Sequence, residues 1–215
     1  MGLVMYNIID YRTYKMKDNK GDGVMCVTLK AIKGKTPQEL LNEYNIDINP
    51  PVDIAELLNK IGISTIAQDF SEIEEMMHKE KGSILGAAFS NGDDLAIFYK
   101  KSDTIHRKKF TIAHELAHCC MHCPKDESSH IEFRVEPFLH EMSIDELRKE
   151  KEANIFAGKI LIPVESLQTQ YDKMLVPSLS NLAKIFDVST SVMAARLDYL
   201  DLPYFKDSQI TEVII

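Results

Sequence analysis

His114 and His118 stand four residues apart in the run His114-Glu115-Leu116-Ala117-His118. On an α-helix such a pair shares one face, with side chains about 5–6 Å apart. Two imidazoles at that separation suit two corners of a tetrahedral Zn²⁺ site. Glu115 is turned about 100° from His114 around the helix, so its carboxylate reaches water beside a metal rather than the metal itself. That is the placement of a general base. Chance produces the pattern in about one chain in fifty of this composition, so spacing alone also admits a helix with two surface histidines.

A metal centre needs a third protein donor. One layout takes it from the same segment, with Gly at position 121 and His at 124. Met121 and Pro124 occupy those positions, so that layout fails. The donor must then come from a second helix, and Glu150 and Glu152 in Glu150-Lys151-Glu152-Ala153-Asn154-Ile155-Phe156-Ala157 are the candidates. Glu150 shares a face with Ala153, Asn154 and Ala157. The two alanines permit close helix approach, and Asn154, one turn on, can hydrogen-bond a ligand imidazole from behind. Glu152 lies beside Ile155 and Phe156, which are core types. Glu150 is the preferred ligand and Glu152 the alternative; the bland reading of both is a solvated charge run, Arg148 to Glu152.

Other groups carry less. His122 extends the histidine row by one turn and is read as pointing to the helix end. Cys119, Cys120 and Cys123 crowd one helical stretch, where three thiols converge poorly on a soft metal, so they read as buried small hydrophobes. His130 and His140 read as surface residues of a loop, and His78 and His106 belong to no constellation. Arg134, His140 and Tyr171 are candidates for a second oxyanion donor, each with a structural or surface role as the simpler reading.

The elements that must position these groups follow from local signals. Residues 103–122 contain no Gly or Pro and stop before Pro124, which predicts one long helix. Ser143-Ile144-Asp145-Glu146 is a capping box, opening a helix that runs to about Ile162 before Pro163. Between the two lies a polar loop, roughly Pro124–Met142. Residues 83–90 and 95–100 read as strands around Asn91-Gly92, a strong hairpin signal. The second of them, Leu95–Tyr99, is a candidate edge strand for gripping an extended substrate. Upstream, Val24–Ala31 reads as a strand and Ile63–Ala67 as another. Thr36-Pro37-Gln38-Glu39 starts a helix to about Tyr44, and Val52–Ile61 forms a helix ended by Gly62. Residues 180–186 and 190–200 form a compact helical pair. The fold class is α+β: a small sheet with several helices, followed by a helical tail.

Composition sets the boundaries. The chain has 215 residues, 45% of them hydrophobic, enough for one large or two small domains. Lys and Arg total 25 against 33 Asp and Glu, a formal charge of −8, which argues against nucleic acid as the default partner. The tail has the rhythm of a helix-turn-helix. Yet Lys184 and Arg196 face Asp187, Asp198 and Asp201 between Ser178 and Leu202, a net of −1 (2 − 3). Direct DNA binding by the tail is therefore disfavoured, and a packing or protein-docking role is expected. No apolar run is long enough to span a membrane. The first residues lack a signal-peptide core, and the crowded cysteines suit no disulfide framework, so a reducing cytoplasm is expected.

The motifs together resemble the ImmA/IrrE family of zinc metallopeptidases. The resemblance is carried by Arg107-Lys108-Lys109-Phe110-Thr111-Ile112-Ala113-His114-Glu115-Leu116-Ala117-His118, closed by His122. A second block follows in the right order: Glu150, Ala153-Asn154, Phe156-Ala157 and Leu161-Ile162-Pro163. Ala117 stands where the family commonly has Gly, a small-for-small change. The resemblance spans roughly Pro50–Asp201. It implies a zincin-like metallopeptidase core over 46–176, with an extension of open role over 1–45 and a helical tail over 177–215. It also implies Zn²⁺ on His114, His118 and Glu150, with Glu115 as catalytic base. The implied substrate is a helix-turn-helix repressor, whose cleavage derepresses phage, mobile-element or stress genes. The alternative function is a metal-binding transcriptional regulator without proteolysis.

Overall fold

The computed structural model describes residues 29–90, 95–123, 130–135 and 142–206. Nine helices and four strands occur among them, in the order α1 (Leu29–Ile32), α2 (Pro37–Glu43), α3 (Ile54–Ile61), β1 (Ser64–Gln68), α4 (Ser71–Met76), β2 (Ile84–Ser90), β3 (Leu95–Lys100), α5 (Ile105–Met121), β4 (His130–Val135), α6 (Ile144–Leu161), α7 (Val164–Tyr171), α8 (Leu179–Ile185) and α9 (Thr190–Tyr199). The fold is α+β, as the sequence predicts.

The sheet runs β1-β3-β2-β4, with β1 parallel to β3 and the other pairs antiparallel. Alternation along the strands gives it two apolar faces. Ala88, Leu95 and Ile97 join the main core against α5, while Ala87, Phe89, Ala96 and Phe98 pack with Phe70 and Ile73 around α4. Ile84 sits with the second set because the register shifts between Ile84 and Gly86. With both faces covered, every residue of β2 is buried.

The two long helices begin and end where local chemistry dictates. The Thr104 side chain caps α5 by accepting from the Arg107 amide. Ser143 and Glu146 cap α6 reciprocally, and α6 stops at Ile162 before Pro163. Ala117 of α5 and Ala153 and Ala157 of α6 are each 0% exposed. Small side chains at these points let the helix backbones approach. Leu116, Phe156 and Ile160 fill the space on either side.

The tail shares this core. Leu182, Ala183, Phe186, Val188, Met193 and Leu197 belong to the same buried cluster as α5 and α6. Asp187, in the turn between α8 and α9, pairs with Lys109 and with His106 of α5. Residues upstream of the core also join it, through Ile32, Leu40 and Leu41.

Several expectations are corrected. Leu29–Ile32 is helical, not the end of a strand over Val24–Ala31, whose earlier residues lie outside the described ones. The predicted loop Pro124–Met142 contains strand β4. Helices α4 and α7 were not predicted; α7 starts directly after Pro163. Strand β3 is interior, flanked by β1 and β2, so it has no free edge for a substrate. The edges belong to β1 and β4. The Asn91-Gly92 turn lies outside the described residues.

Because Leu197 is fully buried in the common core, Leu197→Ala is expected to destabilise the whole chain by about 2–5 kcal/mol. Chemical denaturation followed by far-UV circular dichroism checks this. One cooperative transition at lower denaturant is expected; an early melting of the tail alone would contradict the shared core.

Candidate metal centre

Helix α5 contributes His114, Glu115 and His118, all of them buried, at 0%, 1% and 4% exposure. Helix α6 brings Glu150 across the alanine contact. Its carboxylate oxygens lie 3.2 Å from His114 Nε2 and 3.1 Å from His118 Nε2. The two Nε2 atoms are 2.9 Å apart. One ligand-type atom from each of the three residues falls within 4.8 Å of the other two. The pair expected from the helical spacing and the preferred third donor therefore meet at one point.

The surroundings assign the imidazole tautomers. His114 Nδ1 lies 2.9 Å from the Asn154 side-chain oxygen, so Nδ1–H donates and the Nε2 lone pair faces inward. His122 Nε2 is 2.9 Å from Glu152 Oε2, which places a proton there and leaves His122 Nδ1 as an acceptor. His118 Nδ1, 3.2 Å from His122 Nδ1, then donates to it, and its Nε2 lone pair also faces inward. Two nitrogen lone pairs and a carboxylate thus converge on one centre. Lone pairs at that separation repel unless a cation sits between them, so the donor set fits a divalent metal.

Burial alone would raise the Glu150 carboxyl. Where His114 and His118 carry protons on Nε2, their hydrogen bonds and charges outweigh it and hold the group well below the usual carboxylate range; a metal cation takes the place of those protons when the Nε2 lone pairs face inward. Glu150 is thus ionised, as a metal ligand must be.

The sequence candidates separate cleanly. Glu152, the alternative ligand, faces His122 and Arg148 instead. His122 does not point to the helix end: its side chain is 7% exposed and it links His118 to Glu152. The row His114, His118, His122 at intervals of four was the signal for this, but its meaning depended on a carboxylate from another helix. Tyr171 donates its hydroxyl to the Pro203 carbonyl and takes no part in the cluster. Arg134 lies on β4, and His140 is outside the described residues. The three cysteines are buried thiols that form no disulfide. A hydrogen bond with Cys123, then burial, pushes the Cys119 thiol up, and burial pushes Cys120 up to about 12, so these are inert packing groups.

Gly86 of β2 was missed altogether. A Cβ built there would lie 2.6 Å from Thr111 Cγ2 and 3.0 Å from Glu115 Oε1. The absence of a side chain lets the sheet close directly over the Glu115 carboxylate. Beside the cluster opens a cavity of ≈ 910 Å³, walled by Phe110 and Thr111 of α5, Glu150 and Asn154 of α6, and Val192 and Tyr199 of α9. The helical tail is thus one wall of the cleft.

The IrrE N-terminal-like domain, a peptidase domain, matches residues 59–198. The chain belongs to this family. The match takes in the histidine pair, Glu150 and most of the tail, and it makes the domain one of a metallopeptidase family. No curated protein matches the chain. Among the described residues no helix is long and apolar enough to cross a membrane.

Asn154 fixes the His114 ring from behind, so Asn154→Ala is expected to weaken metal affinity about 10–100-fold while the fold persists. Competition with a chromophoric chelator measures this. Unchanged affinity would show that the Asn154 contact does not orient a ligand.

Proposed function

We propose that the chain is a zinc-dependent endopeptidase and that its substrate is a helix-turn-helix repressor protein, whose cleavage derepresses the genes it controls. The observation that carries the reading is the convergence of His114, His118 and Glu150 on one point, with Glu115 on the same helix and a cleft alongside. Zinc is favoured by the two-imidazole, one-carboxylate donor set. When bound there, zinc supplies Lewis acidity, which acidifies water and polarises a peptide carbonyl.

The chain's own residues do the rest. Glu115 accepts the proton of the attacking water and passes it to the leaving amine. Asn154 and His122 hold the two ligand imidazoles with Nε2 inward. Gly86 keeps space for the Glu115 carboxylate beneath the sheet, and burial of that carboxylate limits its contact with bulk water. An extended peptide can add to the β4 edge of the sheet, the edge next to β2. The repressor as substrate rests on the family resemblance of the two sequence blocks, and the acidic chain suits a protein partner better than DNA.

Glu115→Gln tests the reading. The variant is expected to keep its metal, by elemental analysis, and to lose at least about 100-fold in cleavage of a co-expressed repressor encoded beside it, by immunoblot. Full cleavage by the metal-loaded variant would contradict the peptidase reading.

A further inference from the structure

Arg196 of α9 is 6% exposed, yet it lines the cleft that holds Glu150. Its Nε donates to the Ile162 carbonyl at 3.0 Å, and its Cζ lies 5.7 Å from the centre of the Tyr199 ring. Among the described residues no carboxylate lies within 4 Å of its guanidinium, and the Ile162 carbonyl is its one hydrogen-bond partner. The remaining guanidinium N–H groups have no protein acceptor among the described residues. An arginine stays charged at any ordinary pH, and burying that charge without a close counter-ion is costly; Glu165 of α7 acts on it only from longer range.

The walls around it share its sign. Arg107, Lys151 and Arg196 line the cleft, and among the described lining residues the one carboxylate is Glu150 itself. His106 pairs with Asp187 and Arg107 approaches Asp103, whereas Arg196 has no such partner. Gly158 of α6 makes the room: a Cβ there would meet nothing closer than Arg196 Cδ, at 3.9 Å. The arginine stem therefore lies across the bare helix surface, its Nε is anchored on the Ile162 carbonyl, and the residue forms part of the cleft wall. The charge of the cleft is opposite to that of the chain, which is −8.

We propose that Arg196 forms an anion-binding subsite of the substrate cleft, taking a carboxylate of the bound peptide. Its source is an acidic side chain or the free C-terminal carboxylate. The arginine lies between Gly158 and the Ile162 carbonyl, eight to twelve residues along from Glu150 and about 12–18 Å at 1.5 Å per residue, so an extended peptide reaches the subsite about four to five residues from the scissile bond. This rests on the peptidase reading above and narrows its substrates to peptides with an acid at that distance.

Binding tests it. The probes are fluorescein-labelled decapeptides of Ala, Leu and Ser in which one Glu is walked through every position. Each has a Gln counterpart and is made with a free and an amidated C terminus. Fluorescence anisotropy is read with zinc-loaded Glu115→Gln protein, which cannot consume them. We expect Glu at one narrow register, or the free C terminus, to bind about tenfold tighter than its neutral counterpart, the scale of one charge-assisted hydrogen-bonded pair. The two arms tell the two sources apart. Adding Arg196→Gln should abolish the preference, and Arg196→Lys should keep part of it. The proposal is overturned if no acid is preferred, or if the preference survives Arg196→Gln. Should Arg196→Gln fail to fold, Arg196→Lys takes its place, and a preference that this variant leaves undiminished overturns the proposal. Incubating the same peptides with the zinc-loaded wild-type chain, read by mass spectrometry, separates the two claims. Acid-dependent binding upholds the subsite whether or not these peptides are cut, the repressor assay with Glu115→Gln decides the peptidase reading, and cleavage without acid dependence overturns the subsite alone.

Discussion

The contact between α5 and α6 is the constraint on which the rest depends. It brings a carboxylate from one helix to two imidazoles on the other, and it can do so because Ala117, Ala153 and Ala157 keep the backbones close. Larger side chains there would hold Glu150 away from both rings. The core around the contact is built from Leu116, Phe156 and Ile160, so the geometry of the polar cluster is inherited from hydrophobic packing. Polar groups in such a setting must be satisfied or matched to a guest. Asn154, His122 and Glu152 satisfy the outward nitrogens, and the inward lone pairs are left for a cation.

The sheet imposes a second constraint on the same helix. Its β2 strand is buried on both faces, and at Gly86 it meets the helix at Thr111 and Glu115. The tail closes the remaining side, held by the Asp187 pairs with α5 and by Arg196 on the end of α6. Helix, sheet and tail therefore meet around one cleft. The tail's helix-turn-helix rhythm serves here to bury Leu182, Met193 and Leu197.

Much of this was legible because local rules govern it. The histidine spacing needs only helical periodicity, and the capping box at Ser143 and the prolines at 124 and 163 locate the helix ends. Glu150 was preferred over Glu152 because alanines share its face, and that face meets α5. What stayed hidden depends on partners distant in sequence. His122 looks like a helix-end residue until Glu152 is seen against it, and Arg196 counts as a surface charge until α9 packs on α6. Gly86 carries no signal at all without the helix above it. Strand β4 is a different case: Ile131, Phe133 and Val135 alternate as a strand should, but flanking polar and turn-forming residues mask the pattern.

The central claim is that one metal site is shared by two helices, with nitrogen and oxygen donors only. X-ray absorption at the zinc edge of the metal-loaded chain tests it most directly. The account predicts two imidazole nitrogens and a carboxylate oxygen at about 2.0–2.2 Å, with no sulfur shell. A sulfur shell at about 2.3 Å, from Cys119, Cys120 or Cys123, would contradict it.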